Sequence, residues 1–188
     1  MIARSRVVAA VLAILLVTAA ALAQRLSDPD TEYELIRAPL DQATAYESGR
    51  LRVSDVRVGS EIVQGDDHYR TQGLFVVVNV AAQATRRDAV VVADSRLRAD
   101  GATYLSAFDP IIRAEPGFET SQDFVFEVDP ARLDDLTLEL WDQGFVYRYY
   151  QRTQTALGIT PANARQWAEA GAQRSLTIPR NKLTKALP

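Results

Sequence analysis

LFVVVNVAA, residues 74–82, decides the fold. Leu74, Val76, Val78 and Val80 fall on one side of an extended chain and Phe75, Val77 and Asn79 on the other, because successive strand residues point to opposite faces. The run is apolar at every position but Asn79 and β-branched at Val76, Val77, Val78 and Val80, which predicts a central strand buried on much of both faces.

Outward from this strand the period stays at two. Upstream, RLRVSDVRVG (50–59) puts Leu51 and Val53 on one side and, after a one-residue slip, Val56 and Val58 on the same side, the pattern of a strand with a bulge. QGDDHYRTQG (64–73) reads as a turn region between the two. Downstream, Asp100-Gly101 sits between two strand-like runs in AVVVADSRLRADGATYL, the chemistry of a tight hairpin. PGFETSQDFVFEVDP opens with a Pro-Gly turn and sets Phe124, Phe126 and Val128 inward against Asp123, Val125 and Glu127. LTLELWD alternates Leu136, Leu138 and Leu140 with Thr137, Glu139 and Trp141, and GFVYRYY reads as a further strand after Gly144. Short strands with turns between them at this spacing predict an antiparallel sandwich.

The two ends differ from this body. Val7 to Ala23 holds nothing more polar than Thr18 and follows Arg4 and Arg6, the signature of an export segment with its leading end held inside. Ala21 and Ala23 before Gln24 offer a cleavage pattern, whereas seventeen unbroken residues of helix span about 25 Å, enough for a signal anchor in a slightly thinned bilayer. Retention is the expectation taken, with secretion after cleavage at Ala23 as the alternative. Residues 1–26 are therefore a signal peptide or anchor, 27–47 a spacer and lead-in, 48–150 the sandwich, and 151–188 an extension. Within the extension, Thr160-Pro161 and Gly171 bracket a short helix over about 161–171; SLTIP suggests a last strand; and Arg174, Arg180, Lys182 and Lys185 form a basic tail expected to be solvated.

The order RLRVSDVRVG, GLFVVVNVAA, DSRLRADGATYL, PGFETSQDFVFEVDPARLDDLTLELWD resembles a bacterial secreted or membrane-anchored immunoglobulin-like domain family of unknown function, over roughly Ala38 to Asp142. The resemblance implies an immunoglobulin-like β-sandwich outside the membrane and supplies no catalytic residues. The chain departs from the pattern at Asp129, which stands before Pro130, in lacking a cysteine for lipidation, and in everything from Gln143 onward.

Composition narrows the chemistry further. Hydrophobic residues are 47% and charged residues 24% of 188, as in ordinary globular chains. The net charge is −3 overall, and 19 basic against 24 acidic residues, or −5, without residues 1–23, the wrong sign for a nucleic-acid binder. With no cysteine, disulfides, thiolate metal sites and thiol nucleophiles are excluded. His68 is the single histidine, in a polar stretch with Asp66, Asp67 and Tyr69, and Gly59-Ser60-Glu61 is only a fragment of a nucleophile elbow. No catalytic, metal or cofactor residues are assigned.

The most concentrated unusual feature is WDQGFVYRYY, in which Trp141, Phe145, Tyr147, Tyr149 and Tyr150 are five of the chain's fifteen aromatics. Strand core is one explanation and a recognition surface the other. Together with Trp167 of the helix these residues form the candidate interaction surface. The expected function is a non-enzymatic extracytoplasmic module of the cell envelope, an interaction or accessory subunit with an envelope protein as partner. The alternative is a small-ligand or glycan binder using the 141–150 aromatics.

Overall fold

A computed structural model describes residues 33–99, 101–108, 110–142 and 150–188. The apolar segment 7–23, Asp100, and Phe145, Tyr147 and Tyr149 lie outside the described residues. Among the described residues no helix is long and apolar enough to cross a membrane.

The described chain is mainly β. Its strands are β1 (Tyr33–Arg37), β2 (Ala43–Tyr46), β3 (Gly49–Gln64), β4 (Asp67–Gln83), β5 (Val90–Val92), β6 (Asp94–Ala99), β7 (Ala102–Leu105), β8 (Ile112–Ala114), β9 (Phe118–Val128), β10 (Thr137–Trp141), β11 (Tyr150–Ala156), β12 (Ser175–Thr177) and β13 (Leu183–Ala186), with one helix, α1 (Ala164–Gly171). A first sheet has the order β1-β11-β10-β6-β7, a second β12-β3-β4-β9-β13 with β2 added to β3, and β5 and β8 form a small ladder.

The alternation read in the sequence is what joins the layers. Leu97, Leu138 and Leu140 of the first sheet meet Val53, Val58, Val76, Val78, Val80, Phe124, Phe126 and Val128 of the second in one buried cluster. Leu133, Leu136, Leu157 and Ile159 complete it from the connecting segments. The bulge expected in β3 lies between Ser54 and Arg57, where the register against β4 slips and Asp55 adopts a positive φ of 50°, a conformation aspartate tolerates better than most residues. The β6–β7 hairpin is also present: Ala99 pairs with Ala102 and Gly101 takes a φ of +67°, at little cost to a residue without Cβ.

Residues 64–73, read as a turn, are mostly strand. Gln64 pairs with Asp67, so Gly65 and Asp66 alone make the turn and β4 starts at Asp67. The polar side chains of this part of the hairpin pair across the strands: Glu61 accepts from Arg70 Nε at 2.9 Å and lies 3.3 Å from His68 Nδ1.

The boundary read at 150 also moves. β11 lies between β1 and β10 in the first sheet, and β12 and β13 flank the second, so the extension is part of the sandwich. β12 runs parallel to β3, against the antiparallel pairing expected throughout. Helix α1 begins three residues later than expected: Thr160 N donates to Asn163 Oδ1 at 2.7 Å, and Asn163 holds the cap position. Gly171 belongs to the helix and serves close packing, since a Cβ there would meet Val58 Cγ1 at 2.7 Å.

The C-terminal strands reveal a sharp bend. Ile178 N donates to the Val63 carbonyl at 3.0 Å, and Leu183 pairs with Ser121. The five residue steps from Ile178 to Leu183 span at most about 18 Å. In straight strands His68, opposite Val63, and Ala81, opposite Ser121, would be about 43 Å apart. The β3–β4 hairpin is therefore folded back over its own sheet, near the second register slip between Gly59 and Glu61. Beneath the fold Ile62, Leu176 and Ile178 cover Phe75, Val77 and Val125 in a second buried cluster. That is how both faces of LFVVVNVAA come to be buried.

Candidate functional site

The period of two that turns Leu138 and Leu140 inward turns Thr137, Glu139 and Trp141 to the outer face of the first sheet. Register then decides their neighbours. Arg96 and Gln154 stand opposite Glu139, Asp94 and Arg152 opposite Trp141, and Arg98 opposite Thr137. β6 and β11 thus deliver three guanidinium groups to one carboxylate on β10.

Glu139 has a side chain 3% exposed and accepts from Arg96 Nε at 2.5 Å, Gln154 Nε2 at 3.2 Å and Arg98 Nη1 at 3.3 Å; Arg152 Nη1 lies 3.7 Å away. Charge-assisted bonds of this kind are the strong ones, and a buried carboxylate needs them to offset its lost hydration. Arg152 is buried too. Its guanidinium lies 4.3 Å from the centre of the Trp141 ring and donates to the Tyr150 hydroxyl at 2.6 Å. Arg96 approaches the same indole at 5.5 Å. A cation over an indole face is attracted by the ring quadrupole. Arg98 differs: its side chain is 53% exposed.

Beside this cluster is an open groove of about 300 Å³ between the turn after β1 and the outer face of β10 and β11. Arg37 stands at its rim; Leu40, Pro39 and Ala156 give it an apolar floor; Thr137 and Gln154 supply polar atoms. Among the described residues no carboxylate lines it.

Of the aromatic surface read in the sequence, Trp141 is half-buried under Arg152, and Tyr150 is buried. Phe145, Tyr147 and Tyr149 fall outside the described residues. Trp167 has neither Trp141 nor Tyr150 in its groove: it packs against the main core from α1 and lines a separate groove of about 220 Å³ with Val58, Gln166, Ala170, Gly171 and Arg174. The structure therefore does not bring Trp167 and Trp141 onto one surface. The residues missed are Glu139, Arg96, Arg98, Arg152 and Arg37. The signal of the first four was present in the polar, outward-phased positions of DSRLR, TLELW and YQRTQ, but only the register places them together.

The basic tail is not free as expected. Arg180 Nη2 donates to Asp67 Oδ2 at 2.7 Å, and Lys185 Nζ pairs with Glu119 at 2.8 Å. Burial pushes the Glu119 carboxyl up, but hydrogen bonds from Lys185 and Gln83, with the charges of Lys185 and Arg52, outweigh it and hold the group below the ordinary carboxylate range. Glu61 is likewise lowered, by hydrogen bonds from Arg70, His68 and Ser175. Both groups are thus biased toward the ionised form. Among the described residues no group of three acidic or histidine side chains is placed to hold a metal ion.

No family model matches the chain, and no curated protein matches it. Among solved structures it is similar to an uncharacterised β-sandwich protein from Clostridium difficile 630, at 10% identity and a TM-score of 0.46, covering 67% of this chain and 96% of that one. It is also similar to the yjhA protein from Bacillus subtilis, at 9% identity and a TM-score of 0.42, covering 80% of this chain and 98% of that one.

Proposed function

We propose that the chain is a non-enzymatic, immunoglobulin-like module of the bacterial cell envelope, tethered by residues 7–23 outside the cytoplasm and acting as an interaction or accessory subunit for an envelope protein. The observation that carries this reading is the outer face of the first sheet, where Arg96, Arg98 and Arg152 gather around Glu139 beside an open groove. A charged surface held on rigid strands by buried ion pairs is preorganised for recognition. Glu139 in this setting is an ion-pair acceptor, and the carboxyls that shift do so downward, opposite to what a general acid requires.

The glycan reading loses ground on one observation: Arg152 occupies a face of the Trp141 ring, where a sugar would stack.

The test is crosslinking in intact cells from photoreactive residues placed on the outer face of the first sheet, with captured proteins identified by mass spectrometry. One envelope protein recovered reproducibly is the expected result, and recovery of none from any position would overturn the reading. Terminal analysis of the membrane-bound form tests the tether, which a mature end at Gln24 would refute.

A further inference from the structure

We propose that the groove between Arg37 and the outer face of β10 and β11 seats an extended acidic segment of the partner protein, with its carboxylates on Arg37 and Arg98. This deepens the interaction-module reading and rests on it.

Charge is the first ground. The single charged residue lining the groove is Arg37, which is exposed and makes no ion pair among the described residues. Arg98 adjoins the groove, because it stands directly opposite the lining residue Thr137. Its contact with Glu139 is weak: Arg96 Nε and Gln154 Nε2 both lie closer to the same carboxylate than its 3.3 Å, and half of its side chain remains in water. A guanidinium in that position can turn to a better acceptor without leaving a buried charge behind, whereas Arg152 cannot. The two exposed guanidiniums present paired donors to carboxylates.

Shape is the second ground. A groove of about 300 Å³ is at the small end of small-molecule sites, which enclose most of their ligand; this one is open and continuous with the sheet face. It suits part of a longer chain. The apolar floor of Leu40, Pro39 and Ala156 fits alternate aliphatic side chains, which on an extended segment leave the intervening carboxylates facing the rim.

The experiment uses the full chain in a neutral detergent and a fluorescent decapeptide of alternating glutamate and valine, with the glutamine-valine peptide as control. Anisotropy should show binding of the glutamate peptide, at least tenfold weaker binding of the control, and affinity that falls as NaCl rises from 50 to about 300 mM. The double variant R37A/R98A should lose at least tenfold in affinity with a melting temperature within about 4 °C of wild type, while R113A, exposed on β8, should bind as wild type. Equal binding of the two peptides, wild-type affinity in R37A/R98A, or no binding at millimolar peptide would overturn the proposal. So would phosphatidylglycerol vesicles taking the peptide's place with the same dependence on Arg37 and Arg98. Cell crosslinking separates the two levels: a partner captured from other positions while the peptide fails refutes the groove and leaves the module, and no partner from any position refutes the module itself.

Discussion

Gly171 of α1 lies against Val58 of β3 so closely that a methyl group on it would meet Val58 Cγ1 at 2.7 Å and the Val58 carbonyl carbon at 3.3 Å. The helix docks on the sheet through that missing side chain. Gly171→Ala should cost about 1–3 kcal/mol, the usual cost of overpacking, despite alanine's better helix propensity. Urea denaturation measures it. Combined with Val58→Ala, which removes the nearest atom, the double variant should be more stable than the sum of the single losses; strict additivity would refute the contact.

Glu139 and Arg98 are partners of unequal consequence. Glu139→Gln leaves Arg96 and Arg152 without their shared carboxylate in a buried setting, and a loss of about 3–5 kcal/mol is expected. Arg98→Ala removes an exposed arm of the same cluster and should cost less than about 1 kcal/mol. Thermal melts of the two variants at equal ionic strength check the contrast, and similar losses would contradict the assignment of Glu139 as the hub.

Acid should weaken the join between β13 and β9. Glu119 has its carboxyl held below the ordinary range in the folded chain. It therefore contributes stability that is fully present above the unfolded-state value near 4.3 and drains away as pH falls through the lower folded-state value. Glu119→Gln lacks this contribution. The stability gap between wild type and the variant should be widest near neutrality and close as pH is lowered toward 3, followed by urea midpoints; a gap independent of pH would rule the linkage out.

Ile178 is the keystone of the second cluster. Ile178→Ala should destabilise by about 2–5 kcal/mol, as other large-to-small changes at buried positions do. Removing the chain from Ser175 onward should do more, uncovering Phe75, Val77 and Val125. Binding of the dye ANS and self-association on gel filtration are the readouts, and a monodisperse truncated protein that ignores the dye would contradict the account.

Much of the sandwich was legible in the sequence because a half-buried strand writes its burial into alternate positions. Val76 and Phe126, Leu138 and Leu140, and the slip before Val56 could each be placed from neighbours in sequence alone. What was not legible depends on residues far apart in the chain. The polar run at 64–73 conceals a strand because its partners include Arg180, and the basic tail looked free because Asp67 and Glu119 are distant in sequence. The candidate site failed for the same reason. Composition draws the eye to aromatics, whereas the arginine cluster exists only once β6, β10 and β11 are set side by side, and no single segment carries it. Trp167, read as part of the same surface, sits on α1 against β3.

The bent hairpin and its cover set a schedule for folding. Asp67 and Arg180 meet across 113 residues of chain, and β12 can add to β3 only after the chain has doubled back on itself. Pairings this distant are closed late and slowly. Until then the aliphatic underside of the hairpin is open to any neighbouring chain, so the time between synthesis of β4 and arrival of β12 is the protein's most aggregation-prone interval.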